Sequence, residues 1–192
     1  MILVVAAVAE ELGELPGRTV GIGPVVAAAS AGRILAELRP QGVVLIGTAG
    51  RYPGGPALGQ ACVARRVGLA DGAATMGLGY VPRPPAPVPC DLRLLDRLGS
   101  LPQVDVLTAG AVTTDPLLTR RMADGWQVEH LEAFGVAVAC AAVDVPFVAI
   151  LGIANDVGPS AHVQWLTHRN AAQDAARAAA AAMLVGQDLH RD

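Results

Sequence analysis

Unbroken apolar runs recur along the chain, separated by stretches of helical character, and this alternation limits the possible folds more than any other feature. The runs are "ILVVAAV" (2–8), "RTVGIG" (18–23), "GVVLIGT" (42–48), "ACVARRVGL" (61–69), "VDVLTAG" (104–110) and "PFVAILGIA" (146–154). Several lack the alternation of a half-exposed strand and read as strands covered on both faces. Strands of that kind between helices predict a three-layer α/β/α fold around a central mixed, mostly parallel twisted sheet. With 192 residues, 53% of them hydrophobic, one domain over residues 1–192 has ample material for a core. Aromatic residues make up only 3%, so that core must be built from Ala, Val and Leu.

Helices are expected between the runs. Pro24 in "GPVVAAASAGRILAEL" suits the first helical position, where its missing N–H costs nothing. In "TTDPLLTRRMADG", Thr114 or Asp115 caps, Pro116 starts the helix and Gly125 follows its end. "LEAFGVAVACAAV" (131–143) is too apolar for a surface helix and is expected to be buried. The Ala-rich stretch from Gln164 to Leu184 forms a closing helix, and the proline-dense 79–91 an extended surface loop.

Composition excludes several functions. The net charge of −3 gives no basic footprint for nucleic acid. All 14 basic residues are arginine, which removes Schiff-base and Walker-type lysines. Cys62, Cys90 and Cys140 form neither a zinc pattern nor a redox pair, which points to a reducing cytoplasm. The first run lacks a basic leader and meets Glu10 and Glu11 early, so it reads as a buried strand rather than a signal peptide. No apolar run approaches a membrane span. "GIGPVVA" (21–27) lacks the third glycine of a dinucleotide fingerprint, with Val26 in its place. His130, His162, His168 and His190 have no metal-ligand spacing, and no GxSxG elbow occurs. No metal or cofactor is expected.

What remains lies at the carboxyl ends of strands, where open α/β sheets bind ligands. Glu10 and Glu11 follow the first run, "GTAG" (47–50) the third, and "AND" (154–156) the last. Glu129 and Glu132 stand at the mouth of the buried helix, where a carboxylate is costly to bury without a partner.

The order of "AVAEEL", "VVLIGTAG", "LGQACVARRVGLADGA", "VEHLEAFGVAVACAAVDVPFVAILGIAND" and the Ala-rich end resembles the purine nucleoside phosphorylase and nucleosidase superfamily over nearly the whole chain. Within it, Glu129-His130-Leu131-Glu132-Ala133 is similar to an "E-N-M-E-G" run of the futalosine hydrolase group. "IANDVGP" (153–159), followed by Trp165, is similar to its "I-S-N-x-V-G-P" run. The resemblance implies a small-molecule nucleoside substrate and a homodimer or higher homo-oligomer. It implies that Glu132 holds the ribose hydroxyls, Glu11 orients the attacking water and Asn155 contacts the purine. A one-residue slip in register would pass the purine role to the neighbouring Asp156. Thr48, Ala49 and Gly50 match the loop lining the sugar and base pocket. Ile22, Val112, Thr113 and Leu131 match further substrate-binding positions.

Breaking an N-glycosidic bond builds positive charge on the sugar and negative charge on the purine, so a carboxylate and a donor at the two ends stabilise the separation. An asparagine NH₂ suits the N7 and O6 acceptors of hypoxanthine, whereas an aspartic acid suits adenine. Phosphorylases of the superfamily place an arginine before the "GT" of the glycine loop; here Leu45 and Ile46 stand there, which favours hydrolysis. The expected activity is release of hypoxanthine from futalosine. The alternatives are a methylthioadenosine or S-adenosylhomocysteine nucleosidase, or a non-catalytic nucleoside-binding relative. Against the family pattern, the sheet is expected to be trimmed near the N-terminus, Leu151 replaces an arginine, Ala154 a serine and Leu131 a methionine.

Overall fold

Apolar runs become strands and amphipathic or Ala-rich runs become helices, joined by smaller elements too short to leave a periodic signal. A computed structural model describes residues 1–185. The order is β1 (Ile2–Ala6), α1 (Ala9–Leu12), β2 (Gly17–Thr19), α2 (Pro24–Leu38), β3 (Gly42–Arg51), β4 (Ala61–Leu69), α3 (Gly72–Thr75) and β5 (Val88–Pro89). It continues with α4 (Leu92–Asp96), β6 (Gln103–Thr108), α5 (Pro116–Met122), β7 (Val128–His130), α6 (Ala133–Ala141), β8 (Phe147–Asp156) and α7 (Ala161–Val185).

The strands form one mixed, mostly parallel sheet flanked by helices, the three-layer arrangement that the alternation predicts. β3 lies at its centre, with β8 parallel along one edge and β1 parallel along the first half of the other. Val43, Val44, Leu45 and Ile46 are each at most 2% exposed, as expected for a strand covered from both sides. α7 packs over β8 and β3; α6 packs on the sheet and carries α2 on its outer side. Both contacts rely on glycine. A Cβ on Gly152 of β8 would lie 1.9 Å from the Ala172 carbonyl of α7, and one on Gly135 of α6 would lie 2.2 Å from the Pro24 carbonyl.

Several boundaries differ from the sequence expectation, and the differences shape the site. "GTAG" does not follow the third strand but belongs to the last part of β3, and "AND" likewise ends β8. The two strands stay paired past a bulge between Ala49 and Gly50, matching Gly50 to Asn155 and Arg51 to Asp156. The run 18–23 yields only Arg18 and Thr19 of β2 (Gly17–Thr19), because Gly21 and Gly23 turn at φ 85° and 87° to enter α2. Within 79–91, Val88–Pro89 forms a short strand against β4. α7 begins at Ala161, a turn before Gln164. Among the described residues no helix is long and apolar enough to cross a membrane. His190 lies outside the described residues.

Candidate active site

One edge of β3 changes partner along its length, and the site occupies the change. β1 pairs with Gly42–Leu45; β7 joins the same edge only at Gly50 and Arg51, running antiparallel. Between them the Thr48 N–H faces no strand, and an amide so placed needs an acceptor. Glu11 supplies it: Oε1 accepts from Thr48 N at 2.9 Å and from Thr48 Oγ1 at 3.3 Å, while Oε2 accepts from Ala7 N at 3.2 Å. The short helix α1 turns Glu11 back over the end of β1, where it is 7% exposed. Burial pushes its carboxyl above the usual range. The Thr48 N–H pulls the other way, and the charge of Glu132 reinforces the rise. Trp165, from α7, donates its Nε1–H to Thr48 Oγ1 at 3.1 Å, so a hydroxyl links the indole to the carboxylate.

The second carboxylate arrives from β7. Glu132 occupies the N-cap position of α6 without capping it; its Oε1 instead accepts from Gly23 N at 2.8 Å, at the start of α2. Its Oε2 accepts no hydrogen bond from a described residue, yet no buried polar side-chain atom among them lacks a partner, so Oε2 is open to the cavity that Glu132 and Glu11 both line. His130 stands between the two acids. Its Nδ1 lies 3.4 Å from Glu132 Oε2 but accepts from the N–H groups of Glu132 and Ala133, at 3.2 and 3.1 Å. An acceptor nitrogen carries no proton, so this contact is not an ion pair.

Asn155 completes the wall. Its Nδ2 donates to the Asp156 carbonyl at 2.9 Å, leaving Oδ1 and one N–H for a ligand. Gly50 makes room for it, since a Cβ there would come within 2.8 Å of Nδ2.

These groups face one cavity of about 430 Å³, a size suited to a small organic ligand. Of the residues singled out in the sequence, Glu11, Ile22, Thr48, Ala49, Gly50, Val112, Glu129, Leu131, Glu132 and Asn155 line it. Asp156 and Thr113 do not. The Asp156 carboxylate points to Arg51, whose Nε lies 2.6 Å away, and to Gln164 Nε2 at 3.1 Å. The Arg51 hydrogen bond holds its pKa below the ordinary range. Thr113 gives its N–H to Glu129 at 3.0 Å and its hydroxyl to Met122 Sδ at 3.4 Å, beside a neighbouring cavity. Glu129 is spent structurally: besides Thr113 it accepts from the buried Tyr52 hydroxyl at 2.9 Å. Burial, and then the Glu129 charge, push the Tyr52 phenol up. Among the described residues no group of three His, Cys, Asp or Glu is placed to hold a metal ion.

Sequence reasoning gave no role to His130 or His162, both of which line the cavity, and noted Trp165 only as part of a motif. A signal existed for the pair on α7: the i, i+3 spacing of His162 and Trp165 puts them on one face, where the rings stack 6.2 Å apart.

The pattern described as the phosphorylase superfamily matches residues 13–185. The futalosine hydrolase of Thermus thermophilus is 31% identical over 162 residues, 77% of this chain and 72% of that protein. A mutant of the futalosine hydrolase of Helicobacter pylori superposes with a TM-score of 0.85 at 14% identity, over 96% of this chain and 98% of that one. The 5′-methylthioadenosine/S-adenosylhomocysteine nucleosidase of Neisseria meningitidis, in complex with methylthio-immucillin-A, gives 0.82 at 19% identity, again over 96% and 98%. At those identities the two structures speak for the shared fold.

Proposed function

Because the chain belongs to the phosphorylase superfamily, we propose that it hydrolyses the N-glycosidic bond of a purine nucleoside, with futalosine as the preferred substrate and hypoxanthine as the released base. The observation that carries this reading is the pair of buried carboxylates, Glu11 and Glu132, each with an oxygen or its hydrogen-bond partner facing one cavity that also receives the Asn155 amide.

Glu132 Oε2 accepts from the ribose hydroxyls, while Gly23 N anchors Oε1 and fixes the carboxylate plane. Glu11 takes a proton from water as the water oxygen bonds to the anomeric carbon. The carbon–N9 bond breaks, its electron pair passes to the purine, and the Asn155 N–H stabilises the anion until it gains a proton from solvent. Futalosine is chosen because the Thermus thermophilus relative is a futalosine hydrolase.

One observation favours a second substrate. With one Nδ2 hydrogen held by Asp156, Asn155 offers the cavity a donor beside an acceptor, a pair that matches adenine N7 and its 6-amino group. The deciding experiment incubates the pure protein with futalosine, inosine and methylthioadenosine, with and without phosphate, and identifies the freed base. Hypoxanthine release that needs no phosphate supports the proposal; an adenine preference transfers it to the second reading, and no base from any nucleoside overturns both.

The enzyme is further proposed to work as a homodimer in the cytosol. Ile22, Val25 and Val26 are 63%, 79% and 52% exposed beside the cavity mouth, an apolar cluster suited to a second subunit. Cys62, Cys90 and Cys140 are buried free thiols, which suits a reducing compartment. Fractionation of the source cells tests that placement.

A further inference from the structure

His130 has two nitrogens with separate surroundings, and only one of them is accounted for by the fold. The side chain is 2% exposed. Nδ1 accepts the N–H groups of Glu132 and Ala133, closing the amino end of α6 in place of an N-cap side chain. Those two bonds assign the proton to Nε2. Nε2–H meets no described partner, and since no buried polar side-chain atom among the described residues is unpaired, it opens onto the cavity that His130 lines.

Glu11 lines the same cavity, and Gly47 beneath them shows how near the two groups come. A Cβ at that position would lie 2.9 Å from His130 Nε2 and 3.2 Å from Glu11 Oε1. Those two distances bring the imidazole and the carboxylate within reach of a single bridging water, and no direct bond joins them. One atom is a donor with nothing to donate to; the other is an acceptor held in place by the Thr48 N–H. A water between them satisfies both: its oxygen accepts from Nε2–H, and one of its hydrogens goes to Glu11.

We propose that His130 is a third catalytic side chain, whose Nε2–H holds the oxygen of the attacking water while Glu11 accepts its proton. This rests on the reading of the site as one for N-glycosidic hydrolysis. In the step itself, the water oxygen forms the bond to the anomeric carbon and its proton moves to Glu11. The carbon–N9 bond breaks with its electron pair leaving on the purine. Nε2–H keeps its proton throughout and directs the oxygen lone pair toward the sugar, which the carboxylate alone does not fix.

Two variants separate the nitrogens. An asparagine places Oδ1 where Nδ1 stands and keeps the two N–H bonds of α6, but it has nothing to reach the water. A glutamine reaches the Nε2 position with an N–H and gives up the helix cap. In H130N, kcat for base release is expected to fall about 10²-fold with KM and Tm close to those of the unaltered protein. H130Q is expected to recover at least about tenfold of that loss at a lower Tm. Wild-type kcat in H130N, or kcat and Tm falling together in both variants, would overturn the role of His130 while leaving the hydrolase reading intact. Failure of the unaltered protein to release base from any nucleoside would remove both.

Discussion

Glu11 carries two demands that burial sets against each other. As a base it must be ionised, yet desolvation favours its protonated form. The rate is therefore expected to fall as pH drops through a midpoint above the ordinary glutamate value of 4.5. Stability runs in the opposite sense. A carboxyl whose folded pKa is raised contributes stability fully present below its unfolded pKa and lost as pH rises through the folded one. Glu11→Gln should thus reduce turnover by roughly 10²–10⁴-fold, while its Tm relative to the unaltered protein climbs with pH. Rate and melting profiles across acid to neutral pH check both, and a Tm difference that does not vary with pH would contradict the account. Glu11, Glu132 and Asn155 were legible because they stand at strand ends or at the mouth of the buried helix, within motifs that resemble the nucleosidase superfamily. The sequence could not say that Asp156 turns away to Arg51, since neighbours on a strand face opposite sides whichever one is in register. Nor could it give His130 two roles, which requires knowing that the start of α6 and the floor of the cavity are within one imidazole of each other.

At the scale of elements, the long pieces were readable and the short ones were not. α2, β3, β4, β8 and α7 announce themselves by apolar runs, Pro24 or alanine content. β7 has only three residues, Val128–His130, and its pairing depends on β3 and β6 rather than on its own sequence. That small strand nevertheless carries His130 and leads directly to Glu132. The packing of α7 also escapes sequence reasoning, because an isolated glycine in a strand does not say what approaches it. Gly152→Ala is expected to force α7 away from β8, since a backbone carbonyl 1.9 Å from the new methyl cannot rotate aside. The cost should be about 3 kcal/mol or more. Thermal or urea unfolding of that variant measures it, and a Tm near that of the unaltered protein would mean the two elements slide apart without penalty.

Taken whole, the molecule draws its core from Ala, Val, Leu and Ile, as the 3% aromatic content requires, and spends its scarce polar groups near one end of the sheet. Glu11, Thr48, His130, Glu132, Asn155 and Trp165 come from six separate elements or their caps, so any one of them is uninformative until the strand order brings them together. Around their cavity the exposed Ile22, Val25 and Val26 are expected to lie beneath a second subunit. Sedimentation should give twice the chain mass of 19.5 kDa, and Val25→Glu should shift it toward the monomer; a monomer in the unaltered protein would refute that assembly. The exchange of partners along β3 has its own consequence. Where a ladder rung would ordinarily be backbone, here it is a titratable group, so the Thr48 amide proton resonates according to whether Glu11 is charged. The sheet thus carries, within its own framework, a spectroscopic gauge of the chemistry beside it.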